Sequence, residues 1–379
     1  MMKALEFFAG AGMARAGLGE AWSIVLANDN DHAKAHSYRA NWGGLDLIVS
    51  DVARLTIANV PGVANLAWMS PPCQDVSLAG DRAGLEGARS GAFWPCMRLL
   101  QALRVEDRAP RVLVLENVTG LLTSHEGADF DAIWAAFEGC GYRVGALVID
   151  AELFVPQSRE RVFIIAVGAD VYISATIMAE GPAAPFQPPA LVKACQRQRG
   201  PIWWRLPVPP KRNTVLADLI ENNPTGVGWH TQAKTAHLLE MMTDVHLTKI
   251  EAAKRASKRM VGGLYRRTRP DEHGVKHQRA EVRFDDVAGC LRVPSGGSSR
   301  QTIVVVEGDS VRSRLLSPRE AARLMGLPDD YKLPANYNDA YGLMGDGVVV
   351  PVVRHLAEHL LEPLLGGVRR LQRLATAAE

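Results

Sequence analysis

Cysteine is scarce and scattered. The five cysteines (Cys73, Cys96, Cys140, Cys195 and Cys290) form no C-x-x-C pair and no Cys/His ligand set, and their number is odd. Neither a disulfide framework nor a structural zinc is expected, and the chain reads as intracellular, with a cytoplasmic location. The opening MMKALEFF lacks the apolar run and small-residue cleavage site of a signal peptide. No apolar run approaches a membrane span, so no membrane partner is expected. The G-x-x-x-x-G-K-[ST] signature is missing, which disfavours a P-loop triphosphate site, and no segment repeats internally.

What is present fits a globular protein of two domains, or of one large domain with an insertion. The length of 379 residues and the 47% hydrophobic content allow a sizeable core. The net charge of +2 conceals an asymmetry, because residues 193–283 hold 18 Lys and Arg against 8 Asp and Glu. A basic segment inside an acidic body suggests a polyanionic partner, and a solvated basic helix face is the alternative. The run Lys254, Arg255, Lys258, Arg259 poses that choice locally.

Up to Gly168 the hydrophobic pattern alternates strand and helix. Strands are expected at 4–8, 23–27, 47–49, 64–69, 111–115, 142–149 and 161–167. Helices are expected at 13–22, at 31–40 and around the Phe130, Ile133, Trp134, Phe137 stripe, which Gly139 and Gly141 close. Such alternation predicts an α/β fold with a parallel or mostly parallel sheet covered on both faces. Residues 181–210 are proline-rich and aperiodic, and the basic segment that follows is expected to hold only short helices, such as one at 233–242. Helical signals return at SPREAARLMG, where Ser317 can cap, Pro318 suits the first helical position and Glu320 completes a capping box. A last helix is expected over 349–365. The expected domains are 1–174, catalytic and cofactor-binding; 175–282, basic and target-recognising; and 283–379, a return segment completing both.

Chemistry-bearing residues recur where strands end. Gly10 and Gly12 follow the first strand and allow close backbone approach to a ligand, although strand-to-helix turns use glycine anyway. This loop is not G-x-G-x-x-G, since Arg15 stands at the last glycine's place. The second strand ends in ANDND, with Asp29 near the ~20-residue offset of a ribose-binding carboxylate, and Asp51 ends the third. These three loops point to a nucleoside-containing cofactor. The fourth strand ends in SPPCQDVS, where Pro71 and Pro72 stiffen the chain before Cys73, a nucleophile if its thiol is deprotonated. Glu116 and Asn117 end the fifth. A carboxylate there is costly to bury unless it binds something. Arg159 and Arg161 alternate in QSRER, on one side of an extended chain entering a strand. Singly, each has a structural explanation: a packed thiol, or an Arg159–Glu116 ion pair.

Taken in order, these segments resemble the DNA cytosine carbon-5 methyltransferases of bacteria and phages. FFAGAGM, SPPCQDVS, LENV, QSRER, RLLSPREAARLMGLPD and YGLMGDGVVVPV correspond to six of the family's motifs, over residues 5–168 and 283–365. The gap falls where that family carries its variable recognition region. The resemblance implies a Rossmann-like S-adenosylmethionine-dependent sheet with a smaller irregular recognition domain. It implies that Cys73 attacks carbon 6 of a cytosine flipped out of double-stranded DNA and that Glu116 holds the ring nitrogen and amino group. Arg161 would hold the carbonyl oxygen, and Arg159 would support Cys73 and Glu116. Phe8, Gly10, Gly12, Asp29, Asn30, Asp51, Val52, Pro72, Asp346 and Val348 would hold S-adenosylmethionine. Gln74 and Ser77 would lie in a loop that closes on DNA, with Arg266, Arg267, Arg269, Arg283 and Arg300 as further DNA-binding candidates. RVPSGGSSR, residues 292–300, is either a recognition loop or a plain hairpin turn. A monomer without metal is implied, and a cognate restriction endonuclease is a partner the sequence leaves open.

Three positions depart from the family. Met13 and Val76 stand where glycine and an aromatic residue are usual, and the tenth motif reads Gly-Asp-Gly-Val, so that Asp346 adds a carboxylate near the methionine half of the cofactor. Two rivals remain. A tRNA cytosine methyltransferase of the same fold is disfavoured by the missing Cys-Phe-Thr tripeptide, and a catalytically silent DNA-binding relative by the presence of all four catalytic residues.

Overall fold

The computed structural model describes residues 1–72, 92–271, 273–294 and 299–366. The expected site residues Cys73, Gln74 and Ser77 lie outside the described residues. The chain forms two compact units: Met1–Asp150 with Glu160–Pro210 and Val350–Glu379, and Ala151–Arg159 with Lys211–Val349. These breaks do not fall at 174 and 282. The proline-rich stretch before Pro210 stays with the first unit, where Val148 N–H donates to Phe186 O and Ile202 N–H to Val144 O, both at 2.8 Å.

The first unit is built on seven strands: β1 Met2–Phe7, β2 Trp22–Asp29, β3 Leu47–Val49, β4 Leu66–Met69, β5 Val112–Val118, β6 Tyr142–Asp150 and β7 Glu160–Gly168. Their order is β3-β2-β1-β4-β5-β7-β6, and only β7 runs antiparallel to its neighbours. The mostly parallel sheet expected from the sequence is therefore present. All four residues of β4 and the first six of β5 are buried. Successive side chains point to opposite faces, so both faces are covered. A short pair, β8 Met178–Ala179 and β9 Trp203–Trp204, lies beyond the sheet strands in sequence.

The covering helices are α1 Met13–Leu18, α2 His32–Trp42, α3 Phe93–Val105, α4 Ala128–Gly139, α5 Pro189–Cys195 and, later in the chain, α11 Val350–Leu356. The helix expected over 13–22 stops at Leu18, because Gly19 turns left-handed (φ 73°) and Trp22 already opens β2. Asp31 is not the first residue of α2 but its N-cap, accepting Ala33 N–H at 2.8 Å and Lys34 N–H at 3.1 Å. Phe130, Ile133, Trp134 and Phe137 are buried along α4, as their spacing requires. The last helix continues past α11 through a π-helical turn, Ala357–Leu361.

The second unit contains α6 Leu216–Leu219, α7 Gln232–Glu240, α8 Asp244–Lys254, α9 Pro318–Leu324 and α10 Tyr337–Asp346. Its antiparallel sheet, of order β11-β10-β12-β13, consists of β10 Met260–Pro270, β11 Lys276–Arg283, β12 Thr302–Glu307 and β13 Ser310–Leu315. Leu238, Met242, Ile250 and Ala253 pack with Leu264, Ala280, Val282, Val304 and Val306 to make its core. The capping box read at Ser317, Pro318 and Glu320 forms as expected. β10 lies between β11 and β12 in this sheet, and residues 295–298 of the 292–300 segment lie outside the described residues.

Candidate active site

In the first unit, polar loops gather at the carboxyl ends of β1, β2 and β3. Phe8 is left-handed (φ 59°), rare for a bulky residue, and Gly10 and Gly12 follow at 56° and 81°. This path lets Gly10 N–H donate to Asp29 Oδ2 at 2.8 Å, while Asp29 Oδ1 accepts Asp31 N–H at 2.9 Å. Each carboxylate oxygen keeps a further lone pair for a ligand hydroxyl. Asn28 Nδ2 donates to Ile48 O and Ser50 O at 3.0 and 2.9 Å, tying the end of β2 to the end of β3. Asp51 accepts Ala53 N–H at 2.8 Å, and Val52 is buried behind it. Asn30 is exposed.

A Cβ on Gly10 would meet nothing within 4 Å, so open space lies over its backbone. On Gly12 it would stand 2.4 Å from Trp42 Nε1, whose N–H donates to Ala11 O at 3.0 Å. An open backbone loop beside carboxylates at the sheet's carboxyl edge fits a nucleoside with a cationic tail.

The same edge holds a buried ion pair. Glu116 ends the apolar run of β5, and Arg161 lies on its neighbour β7; Arg161 Nε is 3.2 Å from Glu116 Oε1, with side chains 13% and 8% exposed. The ion pair is thus Arg161–Glu116 rather than Arg159–Glu116. Beside it, Asn117 Nδ2 donates to Pro71 O at 3.3 Å. That bond fixes the backbone two residues before Cys73 against the strand that carries Glu116.

Arg159 lies outside β7, so the strand alternation expected to group it with Arg161 does not extend to it. It is 2% exposed within the second unit, and its guanidinium donates to Leu291 O at 2.9 Å, Gly345 O at 2.8 Å and Gly347 O at 2.7 Å, with Cys290 Sγ at 3.4 Å. Gln157, buried beside it in sequence, donates to Leu324 O at 2.8 Å and accepts Leu291 N–H at 3.1 Å. The Gln-x-Arg-x-Arg motif therefore combines a clamp on the second unit's loops with one pocket arginine. Sequence reasoning gave Gln157 no role, although the motif itself marks it. Asp346, exposed at the end of α10, and Val348, buried, also belong to the second unit.

A cavity of about 650 Å³ opens in the second unit. Lys234, Arg266, Arg267, Arg283, Arg292 and Arg300 line it, with His230 and no carboxylate. Burial and the neighbouring Lys234 and Arg266 hold the His230 imidazole below its usual pKa. The arginines differ in their engagement. Arg283 Nε donates to Asp285 Oδ2 at 2.7 Å, Arg300 Nε to Asn338 Oδ1 at 3.0 Å, and Arg269 Nε to Glu281 Oε1 at 2.7 Å. Arg267 Nε stands 3.4 Å from Glu281 Oε2, while Arg266 makes no hydrogen bond or ion pair to a described residue. His230, Lys234 and Arg292 were missed, because scattered single cations carry no spacing signal.

The Lys254–Arg259 run does not act as one surface. Arg259 donates to Ala217 O and Ile220 O, both at 3.1 Å, and Lys254 bonds Glu251 on its own helix at 2.7 Å. Among the described residues no group of His, Cys, Asp and Glu could hold a metal ion, and no helix is long and apolar enough to cross a membrane.

A mostly parallel sheet of this order, with glycine and carboxylate loops at its carboxyl edge, is a doubly wound α/β fold, in which ligands bind outside the carboxyl ends of the strands. The chain belongs to the C-5 cytosine-specific DNA methylase family, whose profile matches residues 2–362, and it is a DNA (cytosine-5)-methyltransferase. It is similar to the Type II methyltransferase M.NlaX of Neisseria lactamica, 25% identical over 365 residues that make up 95% of this chain and 96% of that protein. Type II methyltransferase M.HhaI of Haemophilus parahaemolyticus is 23% identical over 95% of this chain and 94% of its own. Among solved structures, the Entamoeba histolytica methyltransferase EhMeth shares the fold with a TM-score of 0.63 at 14% identity, over 96% of this chain and 99% of that one. The Schizosaccharomyces pombe Dnmt2 methyltransferase does so at 0.58 and 19%, with the same coverage.

Proposed function

We propose that this enzyme methylates carbon 5 of a cytosine flipped out of a specific duplex DNA sequence, through a covalent adduct with Cys73. The observation that carries the reading is the buried Glu116–Arg161 pair beside the Asn117–Pro71 bond. An acceptor and a planar donor fork at one sheet edge, with the chain at Pro71 bonded to Asn117 beside them, suit a flat polar ring. A base stacked in a duplex cannot reach such a pocket, so the cytosine leaves the stack.

The Cys73 thiolate adds to carbon 6, and its lone pair becomes the C6–S bond. Glu116 holds the ring nitrogen and the exocyclic amino group, favouring the ring protonation that accepts the displaced electrons. Arg161 holds the carbonyl oxygen. Carbon 5 is then nucleophilic. S-adenosylmethionine supplies an electrophilic methyl group on a sulfonium. Loss of the carbon-5 proton to a base and cleavage of the C6–S bond return Cys73 as thiolate. Gly10, Gly12 and Asp29 hold the nucleoside part of the cofactor, with Phe8, Asn30, Asp51, Val52 and Pro72 around it. Lys234, Arg266 and Arg292 contact DNA phosphates, and Gln74 and Ser77, outside the described residues, are further candidates for DNA contact.

Sequencing of bisulfite-treated plasmid from an expressing cell tests the reading. The expected result is 5-methylcytosine at one defined sequence context. Unmodified plasmid together with methylated tRNA would transfer the assignment to RNA.

A further inference from the structure

We propose that Glu281 buttresses Arg267 and Arg269 as a base-reading pair, which makes at least one guanine, besides the one paired with the target cytosine, part of the sequence that this enzyme recognises. The inference rests on the DNA-methylating reading above and names its sequence-reading residues.

β10 and β11 form an antiparallel ribbon in which Glu281 pairs with Tyr265, Arg267 with Arg279 and Arg269 with His277. Residues 265, 267 and 269 share a face, because strand side chains alternate. Toward the tip this ribbon leaves the sheet, since β12 pairs with β10 only from Met260 to Leu264. The side chains of Arg267 and Arg269 are 52% and 50% exposed, whereas Glu281 between them is 20% exposed. One carboxylate serves both. Arg269 Nε donates to Oε1 at 2.7 Å, and Arg267 Nε stands 3.4 Å from Oε2, its guanidinium also 5.7 Å from the Tyr265 ring centre. The hydrogen bond from Arg269 holds the Glu281 carboxyl below its usual pKa, so the buttress stays ionised.

Contact through Nε settles what remains available. The terminal nitrogens of Arg267 and Arg269 make no hydrogen bond to a described residue. They form the planar fork that matches O6 and N7 of guanine in the major groove, a groove wide enough for a two-stranded ribbon. Anchoring the near edge fixes the fork before DNA arrives, which reduces the ordering cost of binding. Arg283 and Arg300 differ, because each commits Nε and one terminal nitrogen to a single oxygen. Charge also separates reading from phosphate contact. Two arginines sharing one carboxylate carry a net +1, modest for phosphate and suited to a neutral base edge. Arg266, on the opposite face, keeps its full charge.

The test compares the methylation consensus of plasmid DNA from cells expressing the wild type, Arg269→Gln, Arg267→Gln or Glu281→Ala. Residual methylation reports the consensus even from a variant of reduced yield. The wild-type consensus should contain at least one G·C pair besides that of the target cytosine. Each arginine variant should lose about tenfold to a hundredfold of the discrimination at a guanine, the range for one bidentate contact. Glu281→Ala should relax the same position although both arginines remain. A consensus with no G·C pair besides that of the target cytosine, or an unchanged consensus in all three variants, overturns the inference while leaving cytosine methylation standing. Variants that weaken binding to every sequence alike and flatten its salt dependence would also overturn it, as phosphate contacts do. Absence of 5-methylcytosine from wild-type plasmid would remove the functional reading and this inference with it.

Discussion

Single residues decide both the chemistry and its cost. Glu6 lies in β1, 1% exposed, accepting Arg15 N–H at 3.2 Å while its other oxygen has no hydrogen-bond partner among the described residues. Burial raises its pKa from 4.5 to about 8, although Arg15 opposes the shift and Asp46 and Asp29 add to it. The folded state therefore holds a proton that the unfolded chain releases above pH 4.5. Stability is fully present below that value and declines as pH rises through about 8. Glu6→Gln removes the titration, so its Tm should gain on the wild type progressively between those limits, by thermal melts at several pH values. A constant Tm difference would mean that Glu6 is already ionised in the folded protein. No spacing in the sequence marks Glu6, because its environment comes from Arg15, Asp46 and Asp29, distant in sequence. The Glu116–Arg161 pair was legible as two candidate residues, but that they meet follows from the β5–β7 pairing. Glu116→Gln should keep DNA binding and lower kcat, by about a hundredfold or more if ring protonation depends on the carboxyl. Steady-state kinetics with a gel-shift control would measure both.

Elements were legible wherever apolar period and capping agreed. The Ser317–Glu320 box, the α4 stripe and the sheet strands stand where the sequence put them. The helices α3, α8 and α10 went unread. In α8 only Ile250 and Ala253 are buried, too few to set a period. Nor does patterning show what α9 does next. Glu320 caps its own helix and also receives Arg314, whose terminal nitrogens bond its oxygens at 2.8 and 2.6 Å with both side chains fully buried. Removing one partner leaves a buried charge, so Arg314→Met should destabilise the second unit by about 3–5 kcal/mol, whereas Ser317→Ala should cost only about 1 kcal/mol. Urea unfolding monitored by tryptophan fluorescence separates the two. A loss below about 1 kcal/mol for Arg314→Met would show that Glu320 is hydrated.

At the scale of the whole molecule, the sequence separated an α/β body from a basic module, and the chain does divide into two compact units. The limits differ because composition changes gradually between 175 and 211, whereas backbone pairing ends at definite residues. The cations also regroup, since Arg259 is engaged by backbone oxygens while Lys234, Arg266 and Arg292 line one cavity. Replacing these three by Gln should reduce the salt slope of DNA binding by roughly 0.9 for each phosphate no longer neutralised, and the Lys254 and Lys258 substitutions should leave it nearly unchanged. Fluorescence anisotropy across a salt series reads both. Covalent catalysis by Cys73 is tested most directly by incubating the protein with S-adenosylmethionine and a duplex carrying 5-fluorocytosine at the methylated position. Fluorine cannot leave as the proton does, so denaturing mass spectrometry should find a one-to-one protein–DNA adduct mapping to Cys73 and absent from Cys73→Ser. Methylation of normal DNA by Cys73→Ser, or wild-type turnover with no trapped adduct, would contradict the account.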